Sequence, residues 1–154
     1  MKQLFLDLDG VLADFDGYYE TQFGVRPNQD TYDPPEFWDC ILNHGSFFRD
    51  QPPMADAFEL WQGVLHLNPI ILSGIPYSIP DVATQKRAWV NEHLGSHVKL
   101  ICCPSRSKCK YGLSGDVLVD DRLKYAGYWT DMGGVFIHHR AAKPTLAALA
   151  GTVF

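Results

Sequence analysis

Residues Leu4-Phe5-Leu6-Asp7-Leu8-Asp9-Gly10-Val11 carry an apolar run straight into two carboxylates and a glycine. An apolar run of this length reads as a buried strand. Its carboxylates then sit at the C-terminal edge, where ligands bind in open α/β sheets. Asp7 and Asp9 are one residue apart, so on an extended chain they point the same way. Two converging carboxylates repel each other unless a cation lies between them. The segment therefore points to a hard metal ion with a phosphate beside it.

Four further apolar runs read as strands: Pro69–Ser73, Val98–Cys102, Val117–Val119 and Val135–Ile137, after a first over Gln3–Leu8. Helical patterns separate them. The clearest is Val82–Leu94, with Gly95 placed to cap it. Lys143–Ala150 is Ala/Leu-rich, and Pro144 suits a first helical turn. Strands alternating with helices predict a parallel sheet with right-handed crossovers. From about 16 to 53 the alternation stops and aromatics gather: Tyr18, Tyr19, Phe23, Tyr32, Phe37, Trp38, Phe47 and Phe48. This segment reads as a small helical cap inserted after the first strand. Most of its aromatics are expected to pack the cap itself.

The chain of 154 residues is enough for one domain with a core. Thirteen basic against eighteen acidic residues, a formal charge of −5, argue against a broad nucleic-acid or membrane footprint. No apolar stretch approaches the ~20 residues that span a bilayer, and the N-terminus reads as a strand rather than a signal peptide. Cys40, Cys102, Cys103 and Cys109 form no CxxC pair, so reduced thiols in a cytoplasmic protein are expected rather than a zinc site.

Four places carry chemistry, each just after an apolar run: Asp7-Leu8-Asp9-Gly10, Ser73-Gly74, Arg106-Ser107-Lys108-Cys109-Lys110, and Asp120-Asp121. Singly, each has a bland reading. Asp7-Leu8-Asp9-Gly10 could open a calcium loop, though Val11 and Ala13 stand where further ligands belong. Ser73 could be a strand-end serine, Lys108 or Lys110 a surface lysine, and Asp120-Asp121 a helix cap. Jointly they supply what phosphoryl transfer needs. A carboxylate can attack phosphorus, and a second acid can protonate the leaving oxygen. Carboxylates can hold Mg²⁺, and a lysine and a hydroxyl can bind the remaining phosphate oxygens.

This order of motifs resembles the haloacid dehalogenase (HAD) superfamily. Within it, Asp7 through Phe15, Phe37-Trp38, Lys86-Arg87-Ala88-Trp89-Val90, Arg106-Ser107-Lys108 and Val117 through Arg122 look like the 5'(3')-deoxyribonucleotidases and their bacterial and phage relatives. The resemblance implies a Rossmann-like parallel sheet flanked by helices, in a single domain over 1–154 with a cap at about 16–53. It implies Asp7 as nucleophile and Asp9 as general acid/base, with Asp7, Asp120, Asp121 and the backbone carbonyl of Asp9 holding Mg²⁺. Ser73, Gly74 and Lys108 would bind phosphate. Lys108 is preferred to Lys110 because Arg106 precedes it at the family spacing. Phe15, Trp38 and Arg106 would contact the substrate.

The expected activity is Mg²⁺-dependent hydrolysis of a (deoxy)nucleoside monophosphate through an aspartyl-phosphate. A phosphatase for a sugar phosphate or another small metabolite is the nearest alternative, and a catalytically silent phosphate-binding module is one from a different class. The chain departs from the family in its short cap and in Ser73-Gly74-Ile75-Pro76, which stands where the family has threonine-serine. Adjacent His138 and His139 face opposite sides of a strand, which disfavours joint metal ligation.

Overall fold

A computed structural model describes residues 1–28 and 35–154. Tyr32 and the middle of the expected cap lie outside the described residues.

Five strands form one parallel sheet: β1 (Leu4–Leu6), β2 (Ile70–Gly74), β3 (Leu100–Cys103), β4 (Val117–Asp120) and β5 (Val135–His138). Their spatial order is β3-β2-β1-β4-β5. The chain moves outward from β1 to β2 and β3, then returns to the other side of β1 with β4. That reversal opens a crevice at the C-terminal ends of β1 and β4. Leu4, Phe5 and Leu6 pair with Val117, Leu118 and Val119, so Asp7 and Asp120 leave neighbouring strands at the same level.

The strand alternation builds a core on each face. Leu4, Leu6, Val117, Val119 and Ile71 pack on one side with Leu60, Trp61, Val64, Trp89 and Val90. These come from α4 (Ala57–Val64) and α5 (Val82–His93). α7 (Ala142–Ala150) adds Ala142 and Leu149 to the same core. Phe5, Leu72, Cys103 and Leu118 face the other way, against Trp129 of α6 (Ala126–Asp131).

Between β1 and α4 lie α1 (Phe15–Phe23), α2 (Pro35–His44) and α3 (Phe47–Asp50). Asp14 caps α1 by accepting from the Gly17 backbone N–H. Gly24 ends it in the left-handed conformation that favours glycine. Phe15, Tyr19, Phe37, Ile41, Phe47 and Phe48 form a separate buried cluster. Ring centroids 4.6 Å apart for Tyr19–Phe37 and 5.3 Å for Phe15–Phe47 show that these aromatics pack mainly on one another. Among the described residues, no helix is long and apolar enough to cross a membrane.

Candidate active site

The first strand ends at Leu6, earlier than the apolar run suggested. The Asp7 N–H still donates to Val119 O at 2.9 Å, but the chain then turns. The Leu8 carbonyl accepts from the N–H groups of Val11, Leu12 and Ala13. Gly10 takes φ +79°, and a Cβ there would collide with the Asp121 carboxylate. This turn carries the chain away from the sheet just after the two carboxylates. The two carboxylates line one cavity and take different partners.

Asp7 joins Asp120 and Asp121: one carboxylate oxygen from each lies within 4.8 Å of the others. Lys108, buried at 6% exposure, bridges two of them. Its Nζ lies 2.9 Å from Asp7 Oδ1 and 2.7 Å from Asp120 Oδ2. Lys108 comes from a short 3-10 turn over Ser105–Tyr111, whereas Lys110 on the same turn is exposed. Asp120 also accepts from the Arg122 backbone N–H at 2.9 Å.

The electrostatics follow from burial. Desolvation, with the Asp120 charge added, pushes the Asp7 carboxyl up to about 7 although Lys108 pulls the other way. Burial also works against an ionised Asp120, but Lys108 outweighs it and holds that carboxyl below its usual range. Burial opposes a charged Lys108 as well, and Asp7 and Asp120 together raise it above the ordinary lysine value. Three carboxylates, two of them bridged by Lys108, gather hard oxygen donors at one point. That donor set fits a divalent cation such as Mg²⁺.

Asp9 faces the end of β2. Its Oδ2 accepts from Lys86 Nζ at 2.9 Å and its Oδ1 from Gln51 Nε2 at 3.2 Å. Lys86 is fully buried on α5 and also donates to Ser73 Oγ at 2.7 Å and to the Gly74 carbonyl at 2.8 Å. Ser73 is itself fully buried, so its hydroxyl meets Lys86 at the back of the site. A Cβ on Gly74 would collide with the Ser105 hydroxyl, which occupies the place that a side chain at position 74 would take.

A cavity of about 190 Å³ opens over these groups. Asp7, Asp9, Gly74, Ser105, Lys108, Asp120 and Asp121 line it together with the aromatics Phe15, Trp38, Phe48, Tyr125 and Tyr128 and with Arg106. Phe15, Trp38, Arg106 and Gly74, each anticipated as a site residue, therefore share one cavity with the aspartates and Lys108.

Lys86 entered the sequence reading only within the Lys86–Val90 motif, with no role assigned, and Gln51 did not enter it. A signal for Lys86 was present: Val82, Trp89 and Val90 are the buried face of α5, and position 86 falls on that face at helical spacing. The histidines diverge. His138 Nε2 contacts the Asp121 carbonyl at 2.9 Å, and His139 Nδ1 contacts Thr145 Oγ1 at 2.8 Å. Burial raises the Cys102 thiol and pushes Cys103 up to about 11, which disfavours the thiolate form.

Comparison with solved structures decides the fold. A hydrolase from Streptococcus pneumoniae TIGR4 matches 97% of this chain and all of its own, with a TM-score of 0.58 at 11% identity. The L-2-haloacid dehalogenase from Xanthobacter autotrophicus matches all of this chain and 84% of its own, with a TM-score of 0.56 at 13% identity. The fold is that of the haloacid dehalogenase-like hydrolases. No family model matches the chain. Among curated proteins it is similar to one from Bordetella bronchiseptica named "Putative 5'(3')-deoxyribonucleotidase", at 28% identity over 80% of this chain and 76% of that protein. A protein of the same name from Bordetella pertussis matches at 28% identity with the same coverage.

Proposed function

We propose that this chain is a Mg²⁺-dependent phosphomonoesterase acting on a (deoxy)nucleoside monophosphate, with the helices of residues 16–53 as the cap of a single HAD-like domain. The observation that carries the reading is the division of labour between the first two aspartates. Asp7 lies with Asp120, Asp121 and Lys108, while Asp9 lines the same cavity on a separate set of partners. The names of the Bordetella relatives support a nucleotide as substrate. So does the aromatic wall of Phe15 and Trp38 beside the site.

On this reading Asp7, Asp120, Asp121 and the Asp9 backbone carbonyl hold Mg²⁺, which when bound offsets negative charge on the carboxylates and the substrate phosphate. An oxygen of Asp7 attacks phosphorus and the ester P–O bond breaks. The leaving oxygen takes the bonding electron pair and a proton from Asp9. A water then gives its proton to Asp9 and attacks the aspartyl-phosphate, releasing inorganic phosphate and restoring Asp7. Lys108 holds Asp7 in place and offsets charge on the phosphate oxygens, and Arg106 stands at the cavity wall to meet the substrate.

The test is phosphate release from dTMP, dUMP, ribonucleotides and common sugar phosphates, with Mg²⁺ and with chelator. Faster Mg²⁺-dependent release from nucleoside monophosphates is expected. A preference for sugar phosphates refutes the substrate class, and no release from any ester refutes the phosphatase reading.

A further inference from the structure

We propose that Lys86 and Gln51 are positioning residues for the proton-shuttling carboxylate of Asp9, a step that rests on the phosphatase reading above. Nothing about DxD chemistry demands a lysine on α5. Yet Lys86 is fully buried, and its Nζ finds three acceptors: Asp9 Oδ2 at 2.9 Å, Ser73 Oγ at 2.7 Å and Gly74 O at 2.8 Å. A lysine has three donors and no acceptor, so these contacts use it fully. The Phe48 ring lies 5.0 Å from the same nitrogen. Lys86 thus ties Asp9 to the C-terminal end of β2 at a set distance.

Gln51 grips the other oxygen of the same carboxylate, with Nε2 3.2 Å from Asp9 Oδ1. It is buried, and its own carbonyl Oε1 has no hydrogen-bond partner among the described residues. The two grips share a foundation. Trp89 of α5, fully buried, donates from Nε1 to the Gln51 backbone carbonyl at 2.8 Å. Gln85 of α5 accepts from the Phe48 backbone N–H at 3.0 Å. The segment that closes the cap insertion and the helix that follows β2 are therefore locked together, with Asp9 held between them. A carboxylate with both oxygens held by side chains on anchored elements keeps one orientation, which a proton transfer to a leaving oxygen requires.

The experiment compares Lys86→Met and Gln51→Met with the parent enzyme on a nucleoside 5'-phosphate and on 4-nitrophenyl phosphate. Nitrophenolate leaves without a proton, whereas a nucleoside leaving group needs one. Hydrolysis of the aspartyl-phosphate needs Asp9 with either substrate. On the nucleotide, kcat of Lys86→Met should fall about 100-fold, the loss typical of a misplaced or removed proton transfer, with KM within threefold of the parent. On 4-nitrophenyl phosphate the variant should release a burst near one nitrophenolate per enzyme, followed by a slow steady rate. Gln51→Met should show the same burst with a smaller loss of kcat, and it carries the test alone should Lys86→Met fail to fold. Unchanged kcat on both substrates in a folded variant overturns the proposal, as does an equal loss on both substrates with no burst. A parent protein that releases no phosphate from any ester overturns the phosphatase reading itself, which separates the two failures.

Discussion

Replacing Asp7 by Asn should stabilise the metal-free protein, and by an amount that grows with pH. Burial first, and the Asp120 charge next, raise the Asp7 carboxyl from 3.8 to about 7. Each pK unit is worth about 1.4 kcal/mol, so ionising Asp7 in the folded protein costs about 4 kcal/mol relative to the unfolded chain. A carboxyl raised in this way keeps, in the folded state, a proton that the unfolded chain has already released. Stability therefore falls as pH rises from about 4 to about 7 and stays reduced above that. The neighbours act in other windows. Asp120 is lowered, so what it contributes is present at neutral pH and lost only on acidification below 3.8. Lys108 is raised, so its contribution is present up to 10.5 and lost only in stronger alkali.

Asn keeps the shape of Asp7 without the charge. In urea unfolding monitored by tryptophan fluorescence, with chelator present, Asp7→Asn should gain on the parent by about 3 kcal/mol between pH 5 and pH 8. Mg²⁺ at pH 8 should stabilise the parent more than the variant, because ligand binding to the folded state adds directly to its stability. A stability difference that is the same at pH 5 and pH 8, or a variant that loses ground as pH rises, would refute the reasoning.

Three more outcomes follow from the same geometry. Lys108→Met leaves Asp7 and Asp120 buried without their shared cation. It should cost about 3–5 kcal/mol in metal-free urea unfolding and lower kcat at least ~100-fold in steady-state assays. Gly10→Ala combines a φ of +79° with a Cβ aimed at the Asp121 carboxylate; it should lose about 1–2 kcal/mol from the backbone alone and also weaken Mg²⁺ binding measured by calorimetry. Trp38→Ala removes an aromatic wall of the cavity and should raise KM for a nucleoside monophosphate about tenfold, in line with ~1–3 kcal/mol for stacking a base, while leaving KM for a small alkyl phosphate nearly unchanged.

The strands were legible because a doubly covered parallel sheet demands continuous apolar runs: Pro69–Ser73 is displaced by one residue from the observed β2, and Val117–Val119 is one residue short of β4. The grouping of Asp7 with Asp120-Asp121 was legible only through the order of motifs, since no local rule links positions so distant in the chain. Asp7 and Asp9 line the same cavity, but their different partners were not legible. The apolar run hides that the strand ends at Leu6 and that the Leu8 carbonyl then closes a turn. Lys86 was hidden for a different reason. A charged residue on the apolar face of an otherwise ordinary helix reads as a mixed face, and its partners, Asp9 and the end of β2, come from segments brought together only by the crossover. The cap aromatics were correctly weighted toward packing, because Phe15, Tyr19, Phe37 and Phe47 satisfy one another. The family resemblance pointed to Phe15 and Trp38 as cavity residues, whereas Phe48, which also reaches the cavity, was not anticipated.

One experiment bears hardest on the covalent role proposed for Asp7. The enzyme is mixed with a nucleoside monophosphate and Mg²⁺, quenched in acid within a turnover, digested and mapped by mass spectrometry. A phosphoryl group on the peptide containing Asp7, absent from Asp7→Asn, is the predicted result. Phosphate release during turnover with no phosphoryl group on the chain, or with the group on any other residue, would contradict it.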